Sequence, residues 1–102
     1  MYASVRKYSE APALADELVK RAGEIESVIR SAKGFSAYYL LKTRDGAVSM
    51  TVCRDRAGAE ESNGLAANWI KDNLPAITTR PPETSFGEVR IHLTEQPGKV
   101  NV

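Results

Sequence analysis

Residues 38 to 41 read Tyr-Tyr-Leu-Leu. In a β-strand, where successive side chains alternate, such a run is apolar or aromatic on both faces. The strand that contains it, Phe35 to Thr43, is followed by Arg44-Asp45-Gly46 and a second strand, Ala47 to Arg54. Asp-Gly between two β-patterned runs is a strong hairpin signal. The second strand alternates Val48, Met50 and Val52 with the small residues Ala47, Ser49, Thr51 and Cys53. A hairpin whose first strand is apolar on both sides needs two covers, and one layer of helices gives one. A second copy of the chain is expected to give the other.

The rest of the chain sorts around this hairpin. Residues 2 to 8 alternate, with Ala3 and Val5 on one side and Tyr2, Ser4, Arg6 and Tyr8 on the other, which reads as a first strand. Ser9 and Pro12 open a long helix whose stripe is Leu14, Leu18, Ala22, Ile25 and Ile29. Lys33-Gly34 closes it. Asp55 caps a second helix with Leu65, Ala66, Trp69, Ile70 and Leu74 on its apolar side, and Pro75 stops it. Residues 76 to 84 read as a loop. A last strand follows, with Val89, Ile91 and Leu93 on one face and Glu88, Arg90 and His92 on the other. Residues 96–102 read as a tail on a single domain spanning 1–95.

This β-α-β-β-α-β order predicts an α+β, ferredoxin-like sandwich: a four-stranded antiparallel sheet with two helices on one face. Right-handed crossovers put the first and third strands in the centre and the last beside the first. With Ala3 and Val5 toward the helices, the outer face would collect Tyr2, Arg6, Tyr8, Glu88, Arg90 and His92, and would pair with a twin by two-fold symmetry.

Composition narrows the function. Fourteen Lys/Arg against thirteen Asp/Glu leave a net charge of +1 in 102 residues, no attraction for nucleic acid or anionic lipid. The third strand has none of the stacking aromatics of an RNA-recognition sheet. One cysteine and one histidine in the whole chain give no metal cluster and no disulfide framework. Phosphate loops and dinucleotide fingerprints are absent. No stretch has the length of a membrane span and the first residues lack a leader pattern, so a cytoplasmic protein without a metal or cofactor is expected.

Few residues remain as chemistry. His92 alone ionises near neutrality unperturbed, so proton transfer falls to it first, beside Arg90; a surface or dimer-contact histidine is the plainer role. Trp69 is either a packed tryptophan or the wall of a cavity for a flat ligand. Asn63 and Asn68 are the amides on the same helix that a pocket would use. Of Tyr38 and Tyr39, one faces away from the helices and packs across the dimer. Cys53 reads as a small strand residue.

The runs Lys33-Gly34-Phe35 to Tyr39, Asp45-Gly46 into Ser49 to Val52, Asp55 to Ser62, Ala66 to Ile70 and Gly87-Glu88-Val89 resemble the dimeric α+β barrel superfamily. The likeness is to small uncharacterised bacterial members grouped with antibiotic-biosynthesis monooxygenases. That resemblance implies a homodimer and, among known members, either haem degradation or cofactor-independent oxygenation of a small aromatic compound. Haem-degrading members carry an asparagine on the first strand and a histidine near the end of the second helix. This chain has neither, and keeps only Trp69. For an oxygenase the resemblance implies asparagine, tryptophan and tyrosine or arginine groups lining a pocket, which Asn63 or Asn68, Trp69, Tyr39 and Arg90 would supply; the expected roles are then Asn68 and Arg90 holding an oxyanion, His92 moving a proton, and Trp69, Tyr39 and Asn63 binding the ligand. The alternative is a non-catalytic small-molecule-binding or accessory homodimer.

Overall fold

The computed structural model describes residues 1–77 and 80–95. Residues 96–102, read above as a tail, lie outside the described residues. Strand β1 (Tyr2–Tyr8) is followed by helices α1 (Leu14–Lys20) and α2 (Ala22–Arg30), strands β2 (Phe35–Lys42) and β3 (Ala47–Cys53), helix α3 (Arg56–Asn73) and strand β4 (Glu83–Glu88). The sheet order is β2-β3-β1-β4, with every neighbouring pair antiparallel. The first and third strands are central and the last lies beside the first, as the element order predicts.

The predicted first helix is two. Arg21, at φ −117° and ψ 32°, separates α1 from α2. Its guanidinium donates to both oxygens of Glu24 at 2.9 Å and to Asn73 Oδ1 at 3.0 Å, and it lies 5.0 Å from the centre of the Trp69 ring. The break turns the second half of the predicted stripe onto α3, where Ile25 and Ile29 join Leu14, Leu18, Trp69 and Ile70 in one core. Asp55 caps α3 as expected, its carboxylate accepting from the Gly58 N–H at 3.0 Å. Gly58 is where α3 meets the end of α2: a Cβ there would stand 2.0 Å from the Lys33 carbonyl oxygen.

The last strand lies earlier than predicted. It spans Glu83–Glu88, starting inside the 76 to 84 stretch read as a loop and ending where the predicted alternation begins, with Glu83 opposite Lys7 and Glu88 opposite Tyr2. Val89, Ile91 and Leu93 are therefore not one face of a strand. Ile91 and Leu93 are largely exposed.

The larger correction concerns the two faces of the sheet. Ser4, Arg6 and Tyr8 are buried, and they stand opposite Thr51, Ser49 and Ala47 on β3. Tyr38 and Leu40 sit beside these and pack against the core. This is the face under the helices. Val5, Val48, Met50, Tyr39 and Leu41 occupy the opposite face, where Tyr39 and Leu41 are about half exposed, at 50% and 52%. For β1, β2 and β3 the sequence reading grouped the residues correctly and assigned the groups to the wrong sides; His92, grouped with Arg6 and Tyr8, lies instead on the face opposite to them. Period-two alternation says which side chains share a face, not which face the chain's own helices cover.

Candidate active site under the helices

Arg6 stands mid-strand on a central strand, and its side chain is fully buried between sheet and helices. Each guanidinium nitrogen donates to a hydroxyl: Nε to Ser49 Oγ at 3.0 Å, Nη1 to Ser4 Oγ at 2.8 Å and Nη2 to Thr51 Oγ1 at 2.8 Å. The small residues alternating along β3 are what make the space. Ser49 and Thr51 are short enough to leave room for a guanidinium, and polar enough to accept from it.

No carboxylate among the described residues pairs with Arg6; the ion pairs all lie on the surface. Hydroxyl dipoles satisfy its N–H groups without neutralising its charge. Burying an ion without a counter-charge costs several kcal/mol even after relaxation, and desolvation accordingly lowers the Arg6 pKa. Two phenols share this layer. Burial raises the pKa of Tyr8 and of Tyr38, while the Arg6 charge works in the opposite direction on both. Among the described residues Asn63 Oδ1 on α3 is buried with no hydrogen-bond partner, and the buried Tyr8 hydroxyl has none of regular geometry, the Arg6 guanidinium being close enough to act on it. A positive charge without an anion and an orphaned amide oxygen are uncommon in a folded interior, and they make this layer the candidate site.

Two grooves flank this polar layer. One, about 430 Å³, runs along the β2 edge under α2 and includes Glu26, Arg30, Phe35 and Tyr38. The other, about 340 Å³ and mostly apolar, lies at the far end of α3, lined by Tyr8, Ala67, Ile70, Lys71 and three prolines. A third groove of about 310 Å³ lies on the opposite face of the sheet, where Tyr39 and His92 meet beside Met50 and Val52.

The residues singled out in the sequence are thus divided between places. Asn63 turns its oxygen into the interior. Trp69 is buried in the core with Arg21 stacked over it. Asn68 is exposed on α3, and Arg90 is exposed with a Glu88 carboxylate oxygen 3.7 Å away. Tyr39 and His92 share the outer face, across the sheet from Trp69. Arg6, Tyr8 and Tyr38 were missed as site residues. The signal for them was present: a lone arginine in mid-strand, next to a strand of alternating serine, threonine and alanine.

No family model and no curated protein matches the chain. Solved structures do. A protein of unknown function from Nitrosomonas europaea is 17% identical at a TM-score of 0.67, covering 93% of each chain. A monooxygenase from Streptomyces coelicolor, solved in complex with nanaomycin D, is 20% identical at a TM-score of 0.63, over 93% of this chain and 91% of that one. A haem degrader from Mycobacterium tuberculosis, solved with two haems in its active site, is 16% identical at 0.65, over 92% of this chain and 100% of its own. At these identities the likeness shows the fold alone. The chain shares with these proteins the ferredoxin-like α+β fold, a four-stranded antiparallel sheet with helices on one face.

Proposed function

We propose that this chain is a cofactor-independent, monooxygenase-like enzyme acting on a small aromatic compound that reacts as its anion, and that two copies pair through the outer faces of their sheets. The observation that carries the reading is Arg6, a buried cation held by hydroxyls and lacking a counter-ion among the described residues. A phenolate in that layer supplies the missing charge. Arg6 then takes the oxyanion role expected of Asn68 and Arg90, and Asn63 offers a polar atom that lacks a partner among the described residues. Fixed donors in a low-dielectric site stabilise a developing oxyanion by about 2.7–4 kcal/mol each.

An ionised phenol is electron-rich enough to be oxidised by dioxygen directly. One oxygen atom replaces a ring hydrogen and becomes a quinone carbonyl, while the other leaves as water, so that phenol and O2 balance against quinone and H2O. No external reductant enters. The protein's part is to hold the anion, exclude water and keep Tyr8 and Tyr38 protonated, which their burial favours.

Oxygen uptake with a panel of hydroquinones and naphthols tests the reading. Arg6→Met is expected to lower turnover by about 100-fold or more, and Arg6→Lys, which keeps the charge, to retain part of it. Undiminished turnover in Arg6→Met would remove Arg6 from the chemistry. A non-catalytic ligand-binding homodimer is the second reading. It is favoured by the enclosure of Arg6, which is 0% exposed with each nitrogen already bonded and lines none of the three grooves, so that a ligand seated in a groove would leave Arg6 untouched. Binding of the panel without oxygen uptake would select it.

A further inference from the structure

Arg6 is enclosed, and none of the three grooves reaches it. A ligand that is to meet its charge needs a way in, and the two tyrosines of the Arg6 layer each line a groove. Tyr8 lines the one at the far end of α3, but it is only 4% exposed and its hydroxyl is buried. Tyr38 lines the larger one, about 430 Å³, between α2 and the β2 edge, and is only partly buried. That groove reaches the core, because Ile29, which is 1% exposed, is among its walls. In the sheet Tyr38 stands directly opposite Thr51, which accepts from Arg6 Nη2, so the two side chains are neighbours on the inner face. Its phenol is also close enough for the Ser49 hydroxyl, which accepts from Arg6 Nε, to act on it. One aromatic ring thus stands between the groove and the hydroxyls that cradle Arg6.

We infer that substrate reaches Arg6 through the groove between α2 and β2, and that Tyr38 is the gate, its ring turning aside to admit a flat phenol and closing behind it. The inference rests on the proposed anion-holding role of Arg6 and adds to it the route of entry and the residue that controls it. β2 is an edge strand, with β3 on one side and no strand on the other among the described residues. The ring therefore has the open groove beside it, and a change between staggered side-chain rotamers is enough to move it. Its contact with Ser49 holds the closed position. The volume of the groove is in the range of small-molecule sites.

Stopped-flow fluorescence of 2-naphthol with the full-length chain tests the route, with association and dissociation measured separately. Tyr38→Ala should speed association about tenfold or more, as for a gate that stands open a tenth of the time or less. Dissociation should quicken with it, so that affinity changes less than either rate. Tyr38→Phe keeps the ring but frees it from Ser49, and should fall between alanine and the parent. Ser36 is exposed and lines the same groove, so Ser36→Trp obstructs the entrance without disturbing the core and should slow association. Ala67→Trp, in the groove at the far end of α3, should leave it unchanged. Equal association rates in the parent, Tyr38→Ala and Ser36→Trp would overturn the route, as would slowing by Ala67→Trp in place of Ser36→Trp. A change in affinity without a change in association rate in Tyr38→Ala would overturn the gate. Should Tyr38→Ala not fold, Ser36→Trp still decides the route and Tyr38→Phe the gate. The functional reading is judged separately. If Arg6→Met abolishes oxygen uptake while these rates stay as in the parent, the function stands and the gate falls. If the rates respond while Arg6→Met keeps full oxygen uptake, phenols enter here but Arg6 is not their destination, and the functional reading falls.

Discussion

At the scale of single residues, Arg6 separates a structural account from a functional one. A guanidinium that only plugs the core belongs to a buried polar network, and breaking such a network costs about 3–5 kcal/mol. A guanidinium kept for an anion is instead a standing cost to the empty protein. Arg6→Met fills similar volume and removes the buried charge, leaving three hydroxyls short of a donor. Chemical denaturation is therefore expected to show the methionine variant within about 2 kcal/mol of the parent, even as turnover collapses. The buried phenols give a second test. Burial raises the folded-state pKa of Tyr8 and Tyr38, so the native chain holds their protons after the unfolded chain has released them. Stability is then complete below the unfolded tyrosine value of about 10 and falls as pH rises beyond it. Tyr8→Phe with Tyr38→Phe should flatten that alkaline loss in a pH series of melts. The sequence signal for Arg6 and its tyrosine neighbours was present but was read the wrong way, because a charged residue in a strand pattern is taken as solvent-facing by default, and here that side of the sheet is the interior.

Elements were more legible than the joints between them. The hairpin at Asp45-Gly46 formed where expected, and Gly46 is confined by its neighbour as well as by the turn. A Cβ on it would lie 2.0 Å from the Tyr8 carbonyl oxygen. Because that obstacle is backbone, Gly46→Ala is expected to destabilise by about 2 kcal/mol or more in thermal melts, whereas alanine at the open Gly64 should stabilise α3 by up to about 1 kcal/mol. The break at Arg21 left no mark in the hydrophobic periodicity, since Leu18 and Ile25 keep helical spacing across it. It is visible only in what Arg21 reaches: Glu24, Asn73 and the Trp69 ring. β4 was misplaced for a related reason. Its residues, Glu-Thr-Ser-Phe-Gly-Glu, lack alternation, while the better pattern, Val89 to Leu93, follows it and lies outside the sheet.

For the whole molecule, the sheet is polar where the helices cover it and apolar where they do not. Tyr39, Leu41 and Met50 on the uncovered face are what the two-sided hairpin predicts for a surface that a second copy covers. Sedimentation should find a dimer at micromolar concentration, and Tyr39→Glu with Leu41→Glu should shift it to monomer; a monomeric parent chain would discard the pairing. The alternation fixed the grouping of side chains but not their side, because the chain alone does not say which face its partner takes. Everything functional then depends on the buried charge being there for an anion. Absorbance titration of 2-naphthol bound to the protein reads this directly. With Arg6 beside it, the bound phenol should ionise about one to three pH units below its value in free solution, and Arg6→Met should abolish that drop. A bound phenol that ionises at or above its free value in the parent protein would contradict the anion-holding role of Arg6.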